Sequence, residues 1–248
     1  MSQTVTVTGM VLSATPIGEY DKRVVLLTKE KGKISAFAKG ARRQNSMLMG
    51  VTTPFTFGEF TLYEGRTSYN IMQANIQNYF MELSTDLEGA YYGFYFLEFA
   101  DYYAKEYNDE TQMLKLLYQT LRALCSKKIP YDLIRCVFEL KALVINGEYP
   151  DVFACSYCGS KEDGAVFSSR NHGIICRECR KIATDAIQMS PATLYTLQYV
   201  VSSSIEKLYT FAVSAEVLHE FQKIMKQYIG MYVEKRFKSL EILEMCLR

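Results

Sequence analysis

The sequence contains no tryptophan and only two histidines, His172 and His219, among its 248 residues. Histidine-centred general-base chemistry therefore has few candidates. The phosphate-cradling G-x-x-x-x-G-K-[ST] and G-x-G-x-x-G loops are absent, as are the metalloprotease H-E-x-x-H and the nucleophile-bearing G-x-S-x-G. No enzyme class is pointed to, and we expect a non-enzymatic protein. No stretch approaches the roughly 18 uninterrupted apolar residues of a membrane span, and the start MSQTVTVTG lacks the basic-then-apolar pattern of a secretory signal. A cytoplasmic protein with no membrane partner is expected. Net charge is also nearly absent, 28 Lys and Arg standing against 27 Asp and Glu for a formal +1. Any electrostatic partner must be read from how charge is distributed along the chain. Against these absences, 49% of the residues are apolar, which excludes disordered, collagen-like and disulfide-miniature classes and predicts one or two domains with a real core.

The near-neutral total conceals a basic head. Residues 1–80 carry nine basic and five acidic side chains, a net +4, whereas residues 81–154 carry seven and twelve, a net −5. The head also reads as short strands. Thr4–Thr8 alternates strictly, Arg23–Thr28 and Lys33–Ala38 are β-rich, Phe55–Tyr63 alternates again, and Thr67 to Ala74 makes a fifth run. Glu30-Lys31-Gly32-Lys33 and Glu64-Gly65-Arg66 supply turns. Five short strands in this span predict a small closed barrel over 1–80, of OB-fold or SH3-like type.

From residue 85 the period becomes helical. Thr85-Asp86-Leu87-Glu88 can cap a helix rich in aromatics that reaches Tyr103 and is apolar around most of its circumference. Further helices are predicted over Glu110–Cys125 and Tyr131–Asn146, from Ser190-Pro191 to Ser202, and in a last long one carrying Val217, Phe221, Ile224, Tyr228 and Met231. The fold class expected is α+β and multidomain: an N-terminal five-stranded barrel, then a helical domain over 81–248 with an inserted zinc ribbon at 152–185.

That insertion rests on cysteine. Of seven cysteines, Cys125, Cys136 and Cys246 stand singly among apolar neighbours and are expected to be ordinary core. Cys155-Ser-Tyr-Cys158 and Cys176-Arg-Glu-Cys179 are two C-x-x-C pairs separated by seventeen residues, the spacing of a four-thiolate zinc site. Ala165–Ser168 and Gly173–Ile175 read as two strands joined through Asn171-His172-Gly173, bringing the pairs face to face, with Gly159 allowing the turn after the first. A thioredoxin-type centre needs one such pair opening a helix in a βαβ unit, which is missing here. Four thiolates leave no open position for a metal-bound water, so one structural Zn2+ is expected, with His172 exposed at the turn tip. His219 is expected on a helix surface, and the acidic pairs Asp109-Glu110 and Glu162-Asp163 in solvated loops or caps.

The remaining positive feature runs from Lys33 to Ser46. A β-run ends there in a glycine loop bearing Lys39, Arg42 and Arg43, mobile charge beside free backbone amides of the kind that holds phosphate. A sequence-tolerant grip also needs rings, and without tryptophan these must be Tyr or Phe. Tyr20 and Tyr69 lie near loop ends, while Phe37 is expected to point into the core.

K-G-A-R-R after the third strand, P-F-x-x-G-E-F at Pro54–Phe60, an all-helical middle and the C-x-x-C pairs together resemble the RecO family of bacterial recombination mediators over essentially the whole chain. The resemblance implies an OB-fold that binds single- and double-stranded DNA, annealing of complementary strands, partnership with RecR, contact with the acidic C-terminal tail of single-stranded-DNA-binding protein, help in loading RecA recombinase, and association with the nucleoid. Lys39, Gly40, Ala41, Arg42, Arg43 and Ser46 match the family's basic loop, with Lys33 and Arg66 as further candidate DNA contacts. Relatives often have more arginines beyond the serine, whereas Ser46-Met47-Leu48-Met49-Gly50 makes this loop more apolar. The acidic tail would need cations on the helical body. Lys127 and Lys128, with Arg122 and Arg135 nearby in sequence, form the middle segment's dense basic cluster. The rival class is a zinc-ribbon adaptor of transcription or translation machinery that binds protein only.

Overall fold

Gln3–Ile17 forms one fifteen-residue strand, β1, whose length organises the N-terminal barrel. Its first half, Gln3 to Met10, pairs antiparallel with β4 (Phe57–Glu64), and its second half, from Gly9 to Ile17, pairs with β2 (Asp21–Thr28) across an irregularity at Val11/Ser13. A strand that changes partner midway must bend, and the bulge supplies the bend. With β3 (Gly32–Ala38) and β5 (Tyr69–Asn78) the sheet closes in the order β1-β2-β3-β5-β4. The single parallel pairing, between β3 and β5, is the Greek-key closure of an OB-fold and sets aside the SH3-like alternative. Alternate residues Val7, Val11, Val24, Leu26, Ile34, Ala36, Phe60, Leu62 and Ile71 fill its interior. The computed structural model describes residues 3–66, 68–161 and 165–246.

Several strand limits differ from expectation. β1 extends well beyond Thr4–Thr8 because Gly9 to Leu12 are buried on both sides and break the strict alternation. β4 starts at Phe57, since Phe55 turns with a φ of 73°. β5 runs to Asn78, and Thr67 lies outside the described residues. A short helix, α1 (Leu48–Val51), interrupts the loop between β3 and β4.

Contacts divide the described chain into two units, 1–125 with 237–248, and 126–236. In the first, the barrel is joined by α2 (Leu87–Tyr103) and α3 (Thr111–Ser126), the latter ending at the boundary. Asp86 caps α2 by accepting from the Gly89 amide, as the sequence predicts. Sequence periodicity places the last helix around Val217–Met231, but a further one, α7 (Lys238–Cys246), follows it and packs on α2. Phe237 sits among Tyr95, Phe99 and Tyr102 with centroids 5.6, 5.4 and 5.8 Å away. The Ser239 amide and hydroxyl both donate to Glu98 Oε2, at 3.0 and 2.6 Å.

The second unit contains α4 (Tyr131–Ile145), the hairpin β6 (Val166–Ser168) and β7 (Gly173–Ile175), α5 (Pro191–Ser202) and α6 (Ala215–Tyr232). Ser190 caps α5, and Glu220 of α6 accepts from the Ser190 amide at 2.8 Å, its hydroxyl at 2.9 Å and the Thr193 hydroxyl. Buried Lys141 of α4 covers the other end of α5, donating to the carbonyls of Val200, Val201 and Ser203.

Of the single cysteines only Cys136 is buried; Cys125 is half-buried and Cys246, on the outer side of the terminal α7, is exposed. Glu110 also departs from a solvated role. It is buried, and accepts from the Lys105 amide and Asn108 Nδ2, both at 3.0 Å, while Asp109 caps Thr111. Glu162 and Asp163 lie outside the described residues. Among the described residues, no helix is long and apolar enough to cross a membrane.

Candidate nucleic-acid interface and metal centre

The outer face of β3 follows from its alternation. Ile34, Ala36 and Ala38 point inward, which turns Lys33, Ser35 and Phe37 out. Phe37 is therefore a surface ring, contrary to the expectation of core: its one-residue offset from Ala36 and Ala38 puts it on the opposite side of the pleat. Together with Arg23 of β2, Arg66, Tyr69 and Tyr107, Lys33 and Phe37 line a groove of about 470 Å³. Arg23 and Phe37 are register partners, and Arg23 Nε donates to Ser35 Oγ at 2.8 Å. Tyr107 is 77% exposed. This is the β2–β3 face, flanked by the β4–β5 loop, on which OB-folds take oligonucleotides.

The cations of the groove are not equivalent. Lys33 is engaged within the protein, its ammonium 3.3 Å from Asp101 Oδ1 and donating to the Asp101 carbonyl at 2.6 Å. Lys31, Glu64 and Tyr69 form a closed triad at one wall, in which Glu64 accepts from Tyr69 Oη at 2.9 Å and pairs with Lys31 at 3.2 Å. The Tyr69 and Lys31 hydrogen bonds hold the Glu64 carboxyl below its ordinary range. Tyr69 is thus a buried structural ring rather than an open platform. Arg23 and Arg66 are the groove's positive charges toward a ligand.

The glycine loop continues directly from β3. The Gly40 amide donates to Asp21 Oδ1 at 2.7 Å and the Arg42 amide to the Tyr20 carbonyl at 2.9 Å, so the loop is anchored on the β1–β2 turn. Lys39, Arg42 and Arg43 are exposed, and Ser46 Oγ accepts from the Leu48 amide at 3.3 Å, opening α1. The Arg43 guanidinium lies 5.1 Å above the ring of Tyr20, itself 42% exposed, which fixes both in a cation–π stack. Lys22, unremarked in the sequence, donates to the Met49 carbonyl and Thr52 Oγ1, both at 3.2 Å, and ties α1 to β2. Burial and then Arg42 lower its pKa from the ordinary lysine value.

In the second unit the four predicted cysteines converge. Their Sγ atoms all lie within 4.8 Å of one another, and Cys158 and Cys176 are 3.7 Å apart. A tetrahedral ion with metal–sulfur bonds of about 2.3 Å spaces its sulfurs about 3.8 Å apart, so the cluster fits such an ion. The Cys155 amide donates to the Ser160 carbonyl at 2.7 Å and the Gly159 amide to the Cys155 carbonyl at 2.8 Å, with Gly159 at a φ of 74°. Burial alone would raise the Cys155 thiol, but the amides of Cys176, Cys158 and Tyr157 outweigh it and bring it to about 6. Burial and the neighbouring thiols of Cys158 and Cys176 push Cys179 up to about 12. One thiolate here opposes the next, and a divalent cation removes that opposition. Asp185 fastens the hairpin to α6, accepting from Ser168 Oγ, the Arg170 amide and Gln227 Nε2. His172 is exposed at the turn tip, with Nδ1 hydrogen-bonded to Tyr232 Oη at 2.6 Å, and His219 is exposed on α6.

The four candidate tail contacts divide between the units. Arg122 lies on α3 of the first, where Nη1 donates to Gln119 Oε1 at 3.4 Å. Lys127 and Lys128 precede α4 in the second, Lys127 with a φ of 55°, and Arg135 on α4 donates to Glu139 Oε1 at 2.8 Å.

Comparison with known proteins matches this architecture along its length. Residues 1–80 fit the family model described as recombination protein O N terminal, and residues 84–241 the one described as recombination protein O C terminal. The DNA repair protein RecO of Alkaliphilus metalliredigens is 32% identical over 94% of this chain and 96% of its own length. Those of Acetivibrio thermocellus and Clostridium novyi are 31% and 30% identical, over 95% and 94% of this chain and 94% and 91% of theirs. An OB barrel, a helical body with four clustered cysteines and both family domains in sequence place the chain in the recombination protein O family.

Proposed function

We propose that this chain is a recombination mediator of DNA repair. It holds single- and double-stranded DNA on its barrel, brings complementary strands together and helps load RecA recombinase with RecR, without catalysing a covalent step. The observation that carries this reading is the continuity of the Arg23–Phe37–Arg66 groove with the Lys39–Arg43 loop. Exposed cations and sequence-tolerant rings line the groove on β2, β3 and the β4–β5 loop, beside Glu64 and Glu106, and the cations continue into the loop that follows β3. Phosphates meet Arg23, Arg42, Arg43, Lys39 and Arg66; bases stack on Phe37, Tyr107 and Tyr20. RecR, RecA and the nucleoid as a setting rest on family membership. The cysteine site holds one Zn2+, which fixes the hairpin and takes no part in DNA chemistry.

The acidic tail of single-stranded-DNA-binding protein is assigned to Lys127, Lys128 and Arg135 of the second unit, since the groove already serves DNA, and Arg122 of the first unit is left out of that site. Purified protein should bind oligonucleotides of unrelated sequence with similar affinity and accelerate annealing of complementary strands followed by fluorescence quenching. Lys127→Glu with Lys128→Glu should weaken a labelled tail peptide and leave oligonucleotide binding intact. A protein that binds no oligonucleotide and anneals nothing is an adaptor, not a mediator.

A further inference from the structure

A second groove of the first unit, apart from the DNA face, has an unusual construction. It occupies about 530 Å³ between the Thr53–Phe55 turn and the start of α2. Its lining contains no charged residue and exposes four large apolar side chains: Tyr79 by 44%, Met81 by 65%, Leu87 by 70% and Phe94 by 43%. Single exposed apolar residues are ordinary, but four converging on one concavity are the mark of an interaction surface.

Backbone geometry at the groove points the same way. Phe55 and Phe80, both in its lining, take φ values of 73° and 49°, a region that bulky residues rarely adopt. Such conformations persist only where the surroundings enforce them, and they gather at binding sites. The enforcement at Phe55 is visible. Its ring packs 4.7 Å from that of Phe94 and lies over Gly93, where a Cβ would approach Phe55 Cε1 to 2.8 Å. The floor is thus built from a strained ring seated in a notch that only glycine leaves open.

Charge identifies the occupant. Between Arg66 and Lys105 the sequence has no cation at all; of the five acidic residues in that interval Asp86 caps α2, Glu98 accepts from Ser239 and Asp101 pairs with Lys33, and the two next in sequence to the groove's exposed apolar residues are Glu82 and Glu88. Glu82 and Glu88 are exposed beside Met81 and Leu87. An apolar floor with a rim of one sign selects a partner of the other sign. We infer that this groove docks a basic amphipathic protein segment, one that inserts two or three large apolar side chains between Tyr79, Leu87 and Phe94 and sets flanking Lys or Arg against Glu82 and Glu88. It is neither a DNA surface nor a seat for an acidic peptide, and it stands whether or not the barrel binds DNA.

The test uses two labelled synthetic helical peptides with identical leucines, one carrying Lys and the other Glu at every polar position, titrated against the full chain by fluorescence polarisation. The intact protein should prefer the Lys peptide at least tenfold. Met81→Ser with Leu87→Ser, at positions already mostly in solvent, should weaken the Lys peptide at least tenfold and leave the melting temperature unchanged. Glu82→Lys with Glu88→Lys should transfer the preference to the Glu peptide. Equal affinity for both peptides, binding of neither, or indifference to the Met81 and Leu87 changes overturns the inference. Self-association of the chain that those changes abolish overturns it in favour of a second copy as occupant.

Discussion

Phe37 and Lys33 sit two strand steps apart on the same face of β3, yet their expected contributions are opposite. Phe37 offers a half-buried ring on the outer face of β3, while Ile34, Ala36 and Ala38 belong to the barrel core. Phe37→Ala, and equally Tyr107→Ala, should therefore weaken single-stranded oligonucleotides by about 1–3 kcal/mol for each stack removed, roughly five- to 150-fold, with little change in melting temperature. Titration beside a thermal melt separates the two effects. The Lys33 ammonium is neutralised by Asp101, so Lys33→Met should cost up to about 1 kcal/mol of stability and leave the salt dependence of DNA binding where it was. At this scale the sequence was legible for the cysteines, whose paired C-x-x-C spacing foretold that their four sulfurs converge. It misplaced Phe37, expected in the core, because an alternating run states that two faces exist and not which one is inside until the partner strands are in place. Lys33 and Tyr69 were likewise indistinguishable from free groups, since Asp101 and Glu64 lie far away or across a turn.

Elements were read well where one period held throughout. α3, α4 and α5 have nearly the predicted limits, and the Asp86 and Ser190 caps stand where their sequences place them. β1 was shortened because its middle is buried on both faces, and α7 was missed because its nine residues show too few turns for a periodic signal. Across elements, carboxylates of the second unit act as clasps. Burial would raise Glu220, but donors from Ser190 and Thr193 outweigh it and hold its pKa below the ordinary range; Asp185 is lowered in the same way by Ser168, Arg170 and Gln227. A carboxyl depressed in the folded state binds its proton first in the unfolded chain, so its stabilisation is present above the ordinary carboxylate range and lost as pH falls through it and below. Glu220→Gln should cost about 2 kcal/mol at neutral pH, and chemical denaturation should show this deficit shrinking toward pH 3. A deficit independent of pH would assign Glu220 a packing role only.

On the scale of the whole molecule, the family models divide the chain between residues 80 and 84, whereas the packing carries the first unit through α2 and α3 and returns to it at Phe237. Sequence could not foresee that return, which depends on the Phe237 ring finding Tyr95 and Phe99 far away in the chain. The four-cysteine cluster therefore lies in 126–236, whereas the proposed nucleic-acid face belongs to the barrel of the first unit. Cys155→Ser or Cys176→Ser should release about one zinc per chain, measured by plasma mass spectrometry, and lower the melting temperature, because three thiolates no longer enclose the ion. Oligonucleotide affinity should survive at temperatures where the barrel remains folded. Whether the barrel grips the phosphate backbone through its basic loop is read from the slope of log affinity against log salt for one single-stranded oligonucleotide. Arg42→Ala with Arg43→Ala should flatten that slope by about 1.4, or about 0.7 for each phosphate no longer neutralised. An unchanged slope and affinity would make Lys39–Ser46 a solvated turn and put the DNA path elsewhere on the molecule.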